Sequence, residues 1–306
     1  MRTAVIGIGS NSVRMLLADV VSGEMKRLSR ERAGTRLFAG LDQSNRLSPE
    51  AMEKTVAAVA EMARHAREQG AEEMHLFATS ATRDAANGAE FARLLLERSG
   101  LELEIISGRE EAALSFFGAG DGTRCGVMDI GGGSTEIVIG KGMNLETAFS
   151  CQMGAVRLFR LYPLQSSADL SRVEQAATEL LEEKLAECPR VPIPKKWFGT
   201  GGTFTTLAAM IRGISWTERT YMHGTLLTRD AVERIARQLA DMSLEERLRL
   251  PGLQPNRADI VVHGICILLA CMRRLDIDAI AVSEYGNLDG YVQLHYVEGS
   301  STRGNE

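Results

Sequence analysis

Apolar residues along this chain fall into short, β-branched runs broken by glycine turns, and into longer stretches with helical spacing. Val127 to Ile130 and Ile137 to Ile139 are two of the short runs. Each is too short for a helix and predicts a buried strand. Between them stand Gly131, Gly132, Gly133, Ser134, Thr135 and Glu136. A weaker copy of the pattern opens the chain: Val5, Ile6, Gly7, Ile8, Gly9, Ser10, Asn11, Ser12, then Val13 to Leu17. When the two are aligned, Ile8-Gly9 falls on Ile130-Gly131, Ser12 on Ser134, and Gly7 on Asp129. Two glycine hairpins of one design, each opening half of the chain, predict a duplicated α/β domain with a cleft between the halves.

The longer stretches fill in the rest. Pro49 to Gly70 is an amphipathic helix with Ser48 as its N-cap and Pro49 in its first turn. A strand is expected over 74–78, a helix over 84–99, a strand over 103–106 and a helix over 108–117. Glycines at 118, 120 and 122 mark the domain boundary, which gives domains 1–121 and 122–306. The second half is expected to hold strands over 125–130, 134–140, 145–151, 196–198 and 279–282. Its helices are expected near 154–162, 167–187, 205–211, 228–240 and 257–274. The tail from Glu298 to Glu306 is polar and predicts no ordered structure.

Composition narrows the function. The 306 residues suit two domains of about 150 residues each. A net charge of −5 gives no global basic field for duplex nucleic acid, so any polyanion must be held locally. Five scattered cysteines without a Cys-x-x-Cys pair read as free thiols of a reducing cytoplasm. No leader precedes the first strand, and Ile260 to Met272 is too short to span a bilayer, so no membrane role is expected. The five histidines lack metal-ligand spacing.

Candidate chemistry gathers at the glycine turns. Gly131, Gly132 and Gly133 have no Cβ to keep a ligand from the main chain, so their N–H groups can meet phosphate oxygens. Ser134 and Thr135 add hydroxyls, and Asp129 stands where it can hold a metal carrying that phosphate. The first turn is not a dinucleotide fingerprint, because a strand rather than a helix follows it. It is not a P-loop either, since no Gly-Lys-Ser or Gly-Lys-Thr occurs there. Glu136 is the second metal candidate, although strand alternation alone could turn it to solvent. Gly201, Gly202 and Thr203 form a third glycine turn that leads into a helix.

Over nearly its whole length the chain resembles the exopolyphosphatase/guanosine pentaphosphate phosphohydrolase family of the actin-like ATPase superfamily. The resemblance is carried by Gly9 to Ser12, Gly40-Leu41-Asp42 with Leu47 to Glu50, and Ala78 to Asn87. Ser107 to Ala112, Asp129 to Glu136, Met153 to Arg157 and Gly199 to Thr203 complete it. It implies two ribonuclease-H-like (actin-like) domains and hydrolysis of a terminal phosphoanhydride, from inorganic polyphosphate or a guanosine alarmone, with Mg²⁺. It also implies Glu111 as the base that orients water, where Glu110 and Glu111 could otherwise simply favour a helix N-terminus. Arg83 becomes a phosphate-binding guanidinium rather than a surface arginine. Ser10 and Asn11 join the glycine turns as phosphate-binding residues, and a homodimer is a possible assembly.

Two positions depart from the family pattern. Gly7 stands where an acid is usual, and Ser283 to Gly290 reads Ser-Glu-Tyr-Gly-Asn-Leu-Asp-Gly, with Leu288 in place of an arginine. Three readings stay open: exopolyphosphatase; pppGpp 5′-phosphohydrolase or nucleoside triphosphatase; and a non-hydrolytic polyphosphate or alarmone sensor. A kinase or ATPase of the superfamily would require an acid at position 7.

Overall fold

The computed structural model describes residues 1–42 and 44–298. The tail from 299 onward, expected from sequence to be unstructured, lies outside the described residues. The chain divides into two compact units. One is Met1–Gly118 together with the segment from Asn287 onward, and the other is Ala119–Gly286.

The first unit is built on β1 (Arg2–Ile8), β2 (Val13–Val21), β3 (Glu24–Ala33), β4 (Glu73–Ala78) and β5 (Leu103–Ile105), in sheet order β3-β2-β1-β4-β5. The first three strands form an antiparallel meander, and β4 and β5 add in parallel beside β1. The second unit holds β6 (Cys125–Ile130), β7 (Thr135–Lys141), β8 (Asn144–Cys151), β9 (Trp197–Thr200), β10 (Leu226–Thr228) and β11 (Ala279–Val282). Their order is β10-β11-β9-β6-β7-β8. Read from β8, this is the same meander followed by two parallel strands, with β10 appended antiparallel at the edge. The duplication predicted from two hairpins therefore extends to strand order and direction in both units.

Burial follows the alternation. Ile6, Ile8, Val13, Met15 and Leu17 line one face of the first sheet, and Val5 and Leu16 line the other. The helix Pro49–Glu68 starts as expected, with Ser48 Oγ accepting from Ala51 N–H and Pro49 at its first position. The helix expected over 84–99 begins later, at Gly88, after a separate short turn Ser80–Arg83. The cause is Asn87, whose side chain accepts from Leu47 N–H at 2.8 Å and donates to Leu47 C=O at 3.1 Å. This holds the chain in a bend where a helix would otherwise continue. The strand β3 escapes the hydrophobic pattern because Glu24 to Ala33 carries six charged residues. Its place at the sheet edge explains them, since edge charges deter pairing with other chains.

The C-terminal segment corrects the expected domain division. Sequence alone puts everything after residue 121 in the second domain, whereas the helix Asn287–Val292 packs in the first unit. Leu288, Tyr291 and Val292 bury against Val5, Leu16, Phe77 and Leu114, and the Tyr291 ring stacks on Phe77 with centroids 5.6 Å apart. Asp289 fastens the segment, accepting at 2.6 Å from both Arg27 Nε and Arg30 Nη2 of β3. Among the described residues no helix is long and apolar enough to cross a membrane.

Candidate active site

Open α/β sheets bind ligands at the carboxyl ends of their parallel strands. In the first unit those ends are Ile8, Ala78 and Ile105, and the predicted residues Ser10, Asn11, Arg83 and Glu111 all follow them closely. The bend after β1 is closed by Gly9 N–H donating to Ser12 C=O at 3.0 Å. Ser10 Oγ lies 2.9 Å from Ser80 Oγ, at the start of the short turn that ends in Arg83. Arg83 Nη1 donates to Ile106 C=O at 2.9 Å and reaches Glu111 Oε2 at 3.5 Å. One four-residue turn thus links the glycine bend to the carboxylate. Asn11 is 4% exposed, and neither Oδ1 nor Nδ2 finds a partner among the described residues. Leaving such groups unsatisfied costs about 1–3 kcal/mol each.

Glu110 and Glu111 separate cleanly in role. Ser107 N–H donates to Glu110 Oε2 at 2.7 Å while Ser107 Oγ accepts from Glu110 N–H at 3.2 Å, a reciprocal cap on the helix Gly108–Ala119. These bonds hold the Glu110 carboxyl below the usual carboxylate range. Glu111 takes no part in the cap; it is buried and turned toward Arg83.

In the second unit the equivalent ends are Ile130, Thr200 and Val282. Gly131 N–H donates to Ser134 C=O at 3.0 Å, the same bond at the same aligned positions as Gly9 to Ser12. The carbonyls of the turn are engaged from behind. Gly131 C=O accepts from Ala155 N–H, Gly132 C=O from Val156 and Arg157 N–H, and Gly133 C=O from Arg157 Nε at 2.7 Å. The N–H groups of Gly132, Gly133 and Ser134 meet no protein acceptor among the described residues. A turn with occupied carbonyls and open amides has the geometry that suits an anion. Arg157, which sequence left without a role, holds that orientation.

Asp129 and Glu136 are directly paired across the β6–β7 hairpin, so their side chains share one face. Glu136 is 1% exposed and accepts from Ser150 Oγ at 2.7 Å, which rules out the solvent-facing alternative. Asp129 is paired on its other side with Thr200 of β9, where the third glycine turn begins. Gly201 has φ +93°, and a Cβ there would lie 2.6 Å from Asp129 Oδ1. Only glycine fits so close to that carboxylate. Two buried carboxylates of hard oxygen are a donor set suited to Mg²⁺, which takes one or two carboxylates and completes its shell with water and phosphate oxygens. Among the described residues there is no cluster of three or more His, Cys, Asp or Glu that would form an all-protein cage.

Two predicted hydroxyls serve the scaffold. Thr135 Oγ1 donates to Met153 C=O at 2.5 Å, and Thr203 Oγ1 lies against Gly264, where a Cβ would come within 2.4 Å. Sequence reading missed Arg257. Its guanidinium covers Gly202 so closely that a Cβ there would fall 1.7 Å from Cζ. Nothing in the loop Pro255-Asn256-Arg257 sets this arginine apart from the others in sequence.

Gly7 also has a structural account. A Cβ at this position would lie 2.9 Å from Leu288 Cδ2 and 3.1 Å from Phe77 Cζ. The two departures from the family pattern therefore touch each other: the missing acid and the missing arginine are replaced by a glycine packed against a leucine.

The sequence profile described as the Ppx/GppA phosphatase family matches residues 16–293. The chain belongs to the Ppx/GppA phosphatase family. A similar protein is Exopolyphosphatase 2 of Mycobacterium tuberculosis, 33% identical over 94% of this chain and 97% of its own length. An exopolyphosphatase structure from Cytophaga hutchinsonii aligns at TM-score 0.86 and 26% identity, over 98% of each chain. The Ppx/GppA enzyme of Aquifex aeolicus aligns at TM-score 0.81 and 27% identity, over 96% of this chain and 99% of its own. The two units are thus the two actin-like domains of a Ppx/GppA phosphatase.

Proposed function

We propose that the protein is an Mg²⁺-dependent exopolyphosphatase of the cytoplasm, releasing orthophosphate from the end of inorganic polyphosphate. The observation that carries this reading is the row of open N–H groups over Gly132, Gly133 and Ser134 beside the Asp129–Glu136 pair. The name of the Mycobacterium relative supports the choice of substrate. The free state of all five cysteines fits a reducing compartment.

Phosphoryl transfer to water is mostly a matter of positioning and of neutralising charge on the equatorial oxygens. Glu111 accepts a hydrogen bond from the attacking water and takes its proton. Arg83 holds that carboxylate in place and offers its remaining N–H groups to phosphate oxygen. The amides of the second glycine turn bind phosphate oxygens. Asp129 and Glu136 would hold Mg²⁺, which supplies charge neutralisation at the phosphate.

The test is orthophosphate release from long-chain polyphosphate and from pppGpp, with wild type and Glu111→Gln side by side. The proposal expects turnover on polyphosphate, a fall of about 10²–10⁴-fold in Glu111→Gln, and retained polymer binding. Release from pppGpp alone would make the protein an alarmone hydrolase. Tight binding of polymer with no release from either substrate would make it a sensor.

A further inference from the structure

The second unit contains a cavity that phosphate chemistry does not use. It has a volume of about 570 Å³, and its floor is the face of β7 and β8 formed by Ile137, Ile139 and Phe149. Leu185 at the end of the helix Leu170–Ala186 and Val191 and Ile193 of the following loop form its walls. A surface cavity of this size falls in the range of small-molecule pockets, roughly 300–1,000 Å³.

The cavity is held open by its own scaffold. The loop over 188–194 carries Pro189, Pro192 and Pro194, each fixing its backbone φ. Arg124 Nη2 donates to Pro192 C=O at 2.7 Å, and Glu146 holds the same guanidinium through bonds of 2.8 and 2.6 Å. Trp197 Nε1 donates to Pro194 C=O at 2.9 Å. A strap pinned at both positions keeps its place, so a ligand meets a site already formed.

The mouth carries two arginines and one glutamate. Arg274 is neutralised by Glu182 at 3.0 Å, whereas Arg190, also at the cavity, is exposed and has no counter-ion among the described residues. A cavity with apolar walls at Leu185, Val191 and Ile193 and one uncompensated guanidinium at its edge complements a molecule with an apolar body and a single negative end. We propose that this cavity binds a small carboxylate with an alkyl tail, the tail against Leu185, Val191 and Ile193 and the carboxylate on Arg190.

The test is calorimetric titration of the full chain with decanoate, decanol and decylammonium. The proposal expects saturable one-site binding of decanoate, with decanol about tenfold weaker and decylammonium weaker still. Arg190→Gln should abolish the preference for the acid over the alcohol. Ala186→Trp, at an exposed helix end that lines the cavity, should fill the space and weaken both ligands by about tenfold. Cys188 also lines the cavity and is the one cysteine that is not fully buried, so decanoate should slow its alkylation in the unmodified protein. Equal binding of acid and alcohol, unchanged affinity in Ala186→Trp, or alkylation of Cys188 indifferent to decanoate would each overturn the proposal.

Discussion

Gly7→Asp is the most informative single perturbation, because sequence and structure expect opposite results from it. By family pattern an aspartate there restores an acid that this chain lacks. In the structure its Cβ lands 2.9 Å from Leu288 Cδ2 and 3.1 Å from Phe77 Cζ, at the edge of the cluster of Val5, Leu16, Phe77 and Tyr291. The Leu288 methyl can swing aside, so the steric part is small. The larger part is electrostatic: an uncompensated buried charge costs about 3–5 kcal/mol. Arg14 stands directly across the β1–β2 ladder from Gly7, but it already bonds Asn287 Oδ1 at 3.1 Å and offsets only a fraction. A net loss of about 2–3 kcal/mol follows, or roughly 5–12 °C in the unfolding midpoint of a domain of this size. Adding Leu288→Arg removes the blocking methyl and supplies a counter-charge. The double variant should therefore recover about 1 kcal/mol or more beyond the sum of the single effects. Scanning calorimetry of the four proteins in the cycle measures this coupling. Wild-type stability in Gly7→Asp, or strict additivity in the double variant, would refute the packing account of position 7.

Three further outcomes follow from the geometry. Glu110→Gln should lose part of a helix cap, about 0.5–1.5 kcal/mol by thermal unfolding, while keeping its phosphatase rate, in contrast to its neighbour Glu111. Asn87→Ala leaves both polar groups of the Leu47 backbone without their partner and should cost about 1–3 kcal/mol in the same assay. His263 is buried, with Nε2 donating to Tyr162 C=O at 2.8 Å, and burial lowers its pKa below the usual 6.5. The unfolded chain then binds the extra proton first, so stability is complete above about pH 6.5 and falls as the pH drops toward the lowered folded value. Denaturant unfolding between pH 7.5 and 5.5 should show a steeper loss in wild type than in His263→Gln.

Much of this was legible in sequence because duplication leaves a visible trace. The aligned hairpins gave the fold class, and the bonds from Gly9 to Ser12 and from Gly131 to Ser134 place the two bends in one geometry. Asp129 and Glu136 could be paired on paper once both were placed on strands flanking a tight turn. Other features depend on contacts distant in sequence. Arg257 reaches Gly202 across 55 positions, and no local pattern announces that approach. The return of Asn287–Val292 to the first unit was written in the helical spacing of Leu288, Tyr291 and Val292, but spacing does not say which core a helix joins. The strand β3 was hidden by its charges, which make sense only at a sheet edge.

Central to the proposed function is water attacking the terminal phosphorus under the direction of Glu111. Hydrolysis of polyphosphate in ¹⁸O-labelled water, followed by mass analysis of the products, tests this directly. One labelled oxygen should appear in each released orthophosphate and none in the shortened chain, with the labelling rate collapsing in Glu111→Gln. Label retained in the polymer, or an undiminished rate in the variant, would contradict it.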